Sequence, residues 1–332
     1  MRPRYQLIGL LLLTALVYQS VRTHPFVYED ENAIVQHAAV RMQEPVDVTR
    51  TRWLTVLTYR LTFWAVGEKP AAYHLTNLGL HLANGVLVYH LAVLYVAPQT
   101  AVLAAGLFLL HPLQGEAVNY AASRTDLLST CLILSALLLA WRQTWRRSLS
   151  WTRALGVFLL GAAAMCAKES AIVVVPLLLI DPMARGWEGI RRYWKPLIGL
   201  LGMQSLAMIT VLRHEYRFAS DYSPLRFAAI ESAAVWRYVG LTLWPRGFTV
   251  DHDFEVVPVL LAWLALGALV AVIGWAIWRR HTVIGFGVLW AAVCLAPRFA
   301  LPLTEFLAEH QTYLAWIGIW LVLAMARGLV WA

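Results

Sequence analysis

Apolar residues run in long stretches along this 332-residue chain, and polar residues gather in the segments between them. Leu7–Val21, Val257–Trp278 and Tyr313–Trp331 are nearly free of charge. A helix needs ~20 apolar residues to cross a hydrocarbon core of ~30 Å. The pattern predicts ten spans, at about 7–22, 73–96, 99–111, 125–142, 152–167, 171–182, 196–213, 257–278, 282–297 and 313–331. The runs 99–111 and 171–182 are short, so they are expected to tilt against neighbours or to be extended by polar turns. Arg2 and Arg4 ahead of the first run resemble a signal peptide, but no small-x-small cleavage site follows, and an uncleaved first span is expected. Residues 23–72 form the longest polar stretch and are expected to carry short interfacial helices. Residues 229–245 would make an eleventh span if they crossed. With Glu231, Trp236, Arg237, Tyr238 and Trp244 they read instead as an amphipathic helix at the surface.

Composition strengthens the membrane reading. Hydrophobic residues make up 60% of the chain and charged ones 14%, against roughly 45–50% and 25% in soluble domains; mean hydropathy is +0.61. The formal net charge of +8 would suit nucleic acid if it covered one face. Instead the cations cluster in short loops: Arg2 and Arg4; Arg142, Arg146, Arg147 and Arg153; Arg185, Arg191, Arg192 and Lys195; Arg279 and Arg280. That is the positive-inside pattern, and no nucleic-acid partner is expected. With both termini cytoplasmic, 23–72, 112–124, 214–256 and 298–312 fall on the outer side, joined by the turn at Lys168. Cys131, Cys166 and Cys294 lie in apolar segments and offer neither a disulfide framework nor a zinc spacing. The expected fold is an all-α polytopic transmembrane bundle forming one domain over 1–332.

The ionisable residues outside the basic loops form a few constellations. Glu29-Asp30 directly follows the first span; adjacent carboxylates at a water boundary can serve as a general base, and a solvated acidic loop is the alternative. His111, Glu116, Arg124 and Asp126 lie between two apolar spans. Arg124 could meet a phosphate or close an ion pair with Asp126 or Glu116. Lys168-Glu169 marks a turn, as a functional pair or a simple boundary ion pair. His74, Asn77, His81 and Asn84 share one helical face, which suits interhelical hydrogen bonds. Arg298, Glu305, Glu309, His310 and Tyr313 enter the last span from outside, for substrate contact or interfacial anchoring. Asp251-His252-Asp253 is a poor chelate, because three consecutive residues rarely hold one ion well. Walker A, GxGxxG and HExxH motifs are absent from the sequence, so an activated donor, if there is one, would itself be a lipid.

Taken in order, these segments resemble one family. They are Phe26-Val27-Tyr28-Glu29-Asp30, Arg52-Trp53-Leu54-Thr55, Tyr73-His74-Leu75-Thr76-Asn77 with His81, and His111-Pro112 with Glu116-Ala117-Val118 and Arg124-Thr125-Asp126-Leu127. Ala167-Lys168-Glu169-Ser170, Pro176 with Asp181, Trp236-Arg237-Tyr238, Trp244-Pro245, Asp251-His252-Asp253-Phe254 and Glu309-His310-Gln311-Thr312-Tyr313 complete the series. The set is similar to the GT-C superfamily, specifically the transmembrane and tetratricopeptide repeat-containing O-mannosyltransferases and their bacterial relatives, over about residues 20–325. The family's acidic pair is usually Asp-Asp and is Glu29-Asp30 here; its Arg-Pro is Arg52-Trp53; its repeats are absent.

The resemblance implies an inverting transfer of a sugar, mannose in the family, from a polyprenyl-phosphate carrier to an acceptor hydroxyl at the lumenal or periplasmic face. It places the protein in a bacterial inner membrane with its site facing the periplasm. Glu29 or Asp30 is expected as the base. Arg124, Arg52, Lys168 or Arg298 would neutralise the departing phosphate, with His111, Glu116, Asp126, Glu169 and Glu309 also in the substrate site. No tightly bound cofactor is expected; a divalent ion shared with the acidic pair stays open. The implied partners are membrane lipid, the lipid-linked sugar, a protein or glycan acceptor, and a separate repeat protein. A transporter or lipid flippase, and a non-catalytic scaffold, are the competing readings.

Overall fold

The computed structural model describes residues 2–144, 149–184, 195, 197–203, 223–249, 257–300 and 307–330. Every regular element among them is helical. The principal helices are α1 (Pro3–Val17), α2 (Trp53–Val66), α3 (Pro70–Ala92), α4 (Pro98–Leu110), α5 (Gly115–Asn119), α6 (Arg124–Thr144), α7 (Trp151–Ala167), α8 (Val174–Ala184), α9 (Pro224–Leu243), α10 (Val259–Trp278), α11 (Val283–Ala300) and α12 (Thr312–Val330).

The boundaries follow local chemistry. Proline opens α3, α4 and α9 at the first helical position, where its missing N–H is no loss. Ser150 and Ser223 cap α7 and α9 by accepting from Arg153 N and Arg226 N. Helix α4 stops at His111 because Pro112 follows; the residue before proline is pushed out of the helical region, and His111 sits at φ −71°, ψ 133°. The chain then bends by 55° into the short turn of α5.

Helices α3, α4, α6 and α12 form the centre of the bundle, with α7 against α6 and α11 against α12. Their shared core is Leu, Ala, Val and Trp, including fully buried Trp141, Trp290, Trp316 and Trp320. Gly287 on α11 and Gly318 on α12 let those two backbones meet: a Cβ on either would collide with the other's carbonyl oxygen. Close approach through small residues is the usual way of packing helices where lipid removes the hydrophobic drive.

Three described helices are long and apolar enough to cross a membrane: Pro3–Thr23, Ala121–Arg142 and Val259–Trp278. A fourth is added if the bent pair Pro98–Leu110 and Pro112–Asn119 is one span. The ten spans expected from the apolar runs are therefore not matched. Trp151–Ala167, Glu169–Ile180 and Val283–Phe299 are apolar but shorter, and α3 runs unbroken but carries a His and Asn stripe that makes it more polar; the run at 196–213 lies largely outside the described residues. The first expected span is one of the three, and its buried share is small. Helix α9 does not qualify as a span, yet it does not simply lie at the surface: Trp236 and Arg237 point outward while Glu231, Tyr238 and Leu241 are buried.

The stripe on α3 faces inward as expected. Asn77 Nδ2 donates to Tyr120 O at 3.0 Å, and Asn84 Nδ2 to Leu127 O at 2.9 Å. His81 Nδ1 meets the Tyr313 hydroxyl at 2.8 Å and its Nε2 meets Leu109 O at 3.1 Å. His74 is buried beside the rings of His24 and Phe26.

Candidate active site

Five turns meet at one end of the bundle: those after α1, after α4, before α6, after α7 and before α12. The first carries Glu29-Asp30. Asp30 is fully buried, and its two carboxylate oxygens each accept a backbone N–H, from Ala122 at 2.7 Å and from Val27 at 3.1 Å. Burial pushes its pKa up to about 6, against the opposing pull of those amide bonds. Glu29 is exposed, and its backbone N–H donates to the Tyr120 hydroxyl at 2.7 Å. Tyr28, just before it, has φ 47°, and the five residues after Asp30 form a single π-helical turn. Strained backbone and π turns gather at functional sites.

The turn at 120–122 that receives Asp30 is itself held from two sides. The Tyr59 hydroxyl lies 3.0 Å from Ala121 O and 3.1 Å from Ala122 O, and Asn77 grips Tyr120 O. Arg124 begins α6 directly below. Its guanidinium is fully buried, donating to Asn77 Oδ1 at 3.0 Å, Thr62 Oγ1 at 3.2 Å and Tyr73 O at 3.1 Å, with Tyr59 stacked 4.6 Å away. It pairs with neither Asp126 nor Glu116, so both ion pairs considered from the sequence are replaced.

Asp126 instead accepts from Lys168 Nζ at 2.6 Å. Its neighbour Glu169 is held bidentately by Arg52, through Nε at 2.8 Å and through Nη2. Burial would raise the Glu169 pKa, but the Arg52 hydrogen bonds and charge, with Lys168, outweigh it and hold the carboxyl down at about 2. Arg52 caps α2 from a left-handed conformation, φ 61°. Lys168 and Glu169 therefore do not pair with each other; each ties the turn to a different helix.

Glu116 binds the turn before α12. His310 donates to it through its backbone N at 2.8 Å, and its Nδ1 lies 2.7 Å from Glu116 Oε1. Burial disfavours charge on His310, but the hydrogen bond and charge of Glu116 prevail and raise its pKa. The Glu309 carboxyl lies within hydrogen-bonding reach of Glu116 and 3.4 Å from Thr249 N. A cavity of 410 Å³ opens here between the Glu29 turn and the Glu116–Glu309 pair, lined among others by His24, Val27, Asn119, Tyr120 and Phe248.

Two residues singled out from the sequence sit elsewhere. His111 Nδ1 accepts from Leu113 N at 3.2 Å while Nε2 faces Thr242 O at 3.2 Å, with the ring against Trp320; it braces the bend after α4. Arg298 is buried with Glu231, Nε to Oε2 at 2.9 Å, and reaches the Tyr238 hydroxyl at 3.4 Å. That hydroxyl bonds both the carbonyl and the amide of Ala308, at 2.9 and 3.0 Å, and so fixes the turn bearing Glu309 and His310. Glu305 and Asp251-His252-Asp253 lie outside the described residues. Tyr120, Tyr59 and Tyr238 were not expected as site-building residues; tyrosines beside acidic and arginine-bearing motifs, rather than at span ends, were the available signal.

Fold and site together define an all-helical membrane protein with a polar site assembled from its inter-helix turns. In comparison with known proteins, the chain is 37% identical over 131 residues to Protein O-mannosyl-transferase TMTC3 of Homo sapiens, covering 39% of this chain and 14% of that protein. It is 33% identical over 201 residues to Protein O-mannosyl-transferase Tmtc1 of Drosophila melanogaster, 54% of this chain and 23% of the relative. Over 191 residues it is 30% identical to Protein O-mannosyl-transferase TMTC4 of Homo sapiens, 46% and 26% respectively. The matches thus span about a quarter or less of those relatives' length. No family model and no solved structure matches the chain. The chain resembles the TMTC protein O-mannosyl-transferases, as its motifs suggested.

Proposed function

We propose that the chain is an inverting glycosyltransferase of GT-C type, moving a sugar from a polyprenyl-phosphate carrier to an acceptor hydroxyl at the outer, periplasmic membrane face. The observation that carries this reading is the Glu29-Asp30 turn: the Asp30 carboxylate is locked by two backbone amides while Glu29 before it is exposed, in a turn whose Pro25 and Val27 line a cavity that Glu116 and Glu309 also line. The similarity to protein O-mannosyl-transferases supports it, with a protein or glycan as acceptor.

Glu29 is the base in this reading, because a general base must be reachable by the hydroxyl it deprotonates and Asp30 has no exposed surface. Its carboxylate takes the acceptor proton as the oxygen forms a bond to the anomeric carbon. The bond from that carbon to the phosphate oxygen breaks, and its electron pair leaves with the polyprenyl phosphate. Asp30 positions Glu29. Arg52 and Lys168, both at the site and both in ion pairs, exchange their carboxylate partners for the phosphate and stabilise the developing charge. Arg124 and Arg298, committed to interior partners, position helices instead.

Purified protein in nanodiscs would be supplied with radiolabelled polyprenyl-phosphate sugars and a cell-envelope extract. Glu29→Gln is expected to lose transfer by about 10²–10⁴-fold. Transfer equal to the wild type would reject Glu29 as base, and movement of the carrier across the bilayer without covalent change would favour a transporter.

A further inference from the structure

Helix α9 carries its exposed residues on one stripe that continues past its end. Trp236, Arg237, Gly240, Leu243 and Trp244 recur at helical spacing and are all exposed, and Arg246 follows them into solvent. Trp236, near the end of α9, donates through Nε1 to Ala265 O, near the start of α10, at 3.0 Å. The end of α9 therefore lies beside the start of α10. That start is bare: Leu260, Leu261 and Leu264 are exposed at 70%, 55% and 59%. Helix α10 is also the least buried of the three described helices long and apolar enough to cross a membrane.

Two arginines stand at the head of this leucine face. The Arg246 guanidinium lies over the exposed ring of Trp244, 4.8 Å from its centroid. Gly247, at φ 77°, bends the chain next to it, and Arg237 Nη2 comes within 3.8 Å of where a Cβ on Gly247 would lie. Both arginines thus sit at one corner of the protein. Among the described residues no carboxylate pairs with either. Arginines near a helix C-terminus commonly bond its last carbonyls. Here Trp244 N takes Gly240 O at 2.8 Å and His111 Nε2 faces Thr242 O at 3.2 Å, so the arginines are not used that way. Two positive charges held close and uncompensated repel each other, and an anion between them removes that cost.

We propose that this corner binds an anionic glycerophospholipid. Arg237 and Arg246 take its phosphate, whose oxygens match their planar donors. Trp244 sits at headgroup depth, where an aromatic ring with a polar edge is favoured, and the acyl chains lie along the leucines of α10. Arginines alone would accept any anion and leucines alone any lipid; together they select a phosphate joined to hydrocarbon. The proposal needs only the membrane and stands without the glycosyl-transfer reading, which sends the carrier phosphate to Arg52 and Lys168. It still bears on the candidate site. Phe248 and Thr249, directly after Arg246 and Gly247, line the cavity, so a lipid that holds Arg246 holds that wall.

The test is photolabelling of the full-length protein in phosphatidylcholine nanodiscs. Trace phosphatidylglycerol or phosphatidylcholine, each with a diazirine in its acyl chain, would be compared by mapping the label. Over residues 259–264 the phosphatidylglycerol probe should label at least about tenfold more, because each basic residue near a surface adds attraction for anionic headgroups. Arg237→Gln combined with Arg246→Gln should bring that ratio to about one. Arg279→Gln combined with Arg280→Gln, at the other end of α10, should leave it unchanged. Equal labelling by the two probes in wild type overturns the proposal, as does a preference that survives in the Arg237/Arg246 double variant. Displacement by a polyprenyl monophosphate at lower concentration than by unlabelled phosphatidylglycerol also overturns it, since the carrier would then be the occupant. The probe ratio and the competition in wild type decide even if the double variant does not fold.

Discussion

Two arginine–carboxylate pairs in this molecule share their chemistry and differ in their setting. Arg52 and Glu169 meet at the site, where the side chains keep 47% and 11% of their exposure. Arg298 and Glu231 meet inside the bundle at 6% and 0%. Water or an incoming anion can reach the first guanidinium and take over its bonds. The second pair is out of solvent's reach, where separating the charges would strand each without hydration. Burial therefore decides which guanidinium an incoming anion can reach and which it cannot.

Arg298→Met should expose that difference most strongly. It leaves Glu231 buried without its counter-charge, which typically costs about 3–5 kcal/mol. Thermal unfolding in detergent should show a large drop, and adding Glu231→Leu to the same chain should restore much of it, because removing both charges is far milder than removing one. A marginal change in the single variant would mean that water reaches the pair. The turn at Ala308 should loosen too, since Tyr238 links Arg298 to it.

Arg52→Ala is the counterpart. Arg52 is half exposed but Glu169 is nearly buried, so Arg52→Ala should lower the unfolding temperature, by less than Arg298→Met because water can reach the Glu169 end that Arg52 vacates. Transfer should fall by about 10²–10³-fold if Arg52 stabilises the leaving phosphate. Arg52→Lys should recover only part of it, because a point charge cannot reproduce the bidentate fork that grips Glu169. Full activity in Arg52→Ala would shift the phosphate role to Lys168.

Much of this site was legible in the chain, but its pairings were not. Glu29-Asp30, Glu116, Asp126, Lys168, Glu169 and Glu309 stood out as polar groups beside apolar runs, Arg52 only through the family resemblance, and the fold brings them to one end. Who meets whom depended on packing across long separations: Arg52 and Glu169 are 117 residues apart, Glu116 and His310 194. Sequence proximity suggested Arg124–Asp126 and Glu116–Arg124, and neither forms. The inward face of α3 was readable because its spacing alone fixes a face. The span count was not, because an apolar run does not reveal where its helix ends, as at Pro112, and the polar stripe leaves the unbroken helix α3 outside the helices apolar enough to cross.

The two carboxylates that anchor site turns sharpen the comparison by titrating in opposite directions. Glu169 has a folded pKa of about 2, below the ordinary 4.5, so its contribution to stability is full above about pH 5 and is lost as pH falls through 4.5 toward 2. Asp30 is different: its pKa in the folded chain, about 6, lies above the ordinary 3.8. The folded state thus binds the proton more tightly than the unfolded one. Its contribution to stability is fully present below about pH 4 and is lost as pH rises through about 6, by about 3 kcal/mol at most. Asp30→Asn should flatten that part of the stability–pH curve. It should also disturb the Glu29 turn, because an amide offers one acceptor oxygen where Ala122 N and Val27 N each need one. An unchanged curve in this variant would show that another group titrates there.

The smallest expected effect tests whether Glu29 depends on being held. Tyr120→Phe removes the acceptor of the Glu29 backbone N–H and leaves the ring that lines the cavity. One neutral hydrogen bond is worth about 1 kcal/mol net, so unfolding should shift little and transfer should drop about fivefold. The informative measurement is the double variant. If Tyr120 acts by aiming the Glu29 carboxylate, Tyr120→Phe should have no further effect on the residual transfer of Glu29→Gln, because there is no base left to aim. If the two losses simply multiply, Tyr120 acts on the substrate rather than on Glu29, as a hydroxyl facing the cavity could, and the turn would have to be rigid without it.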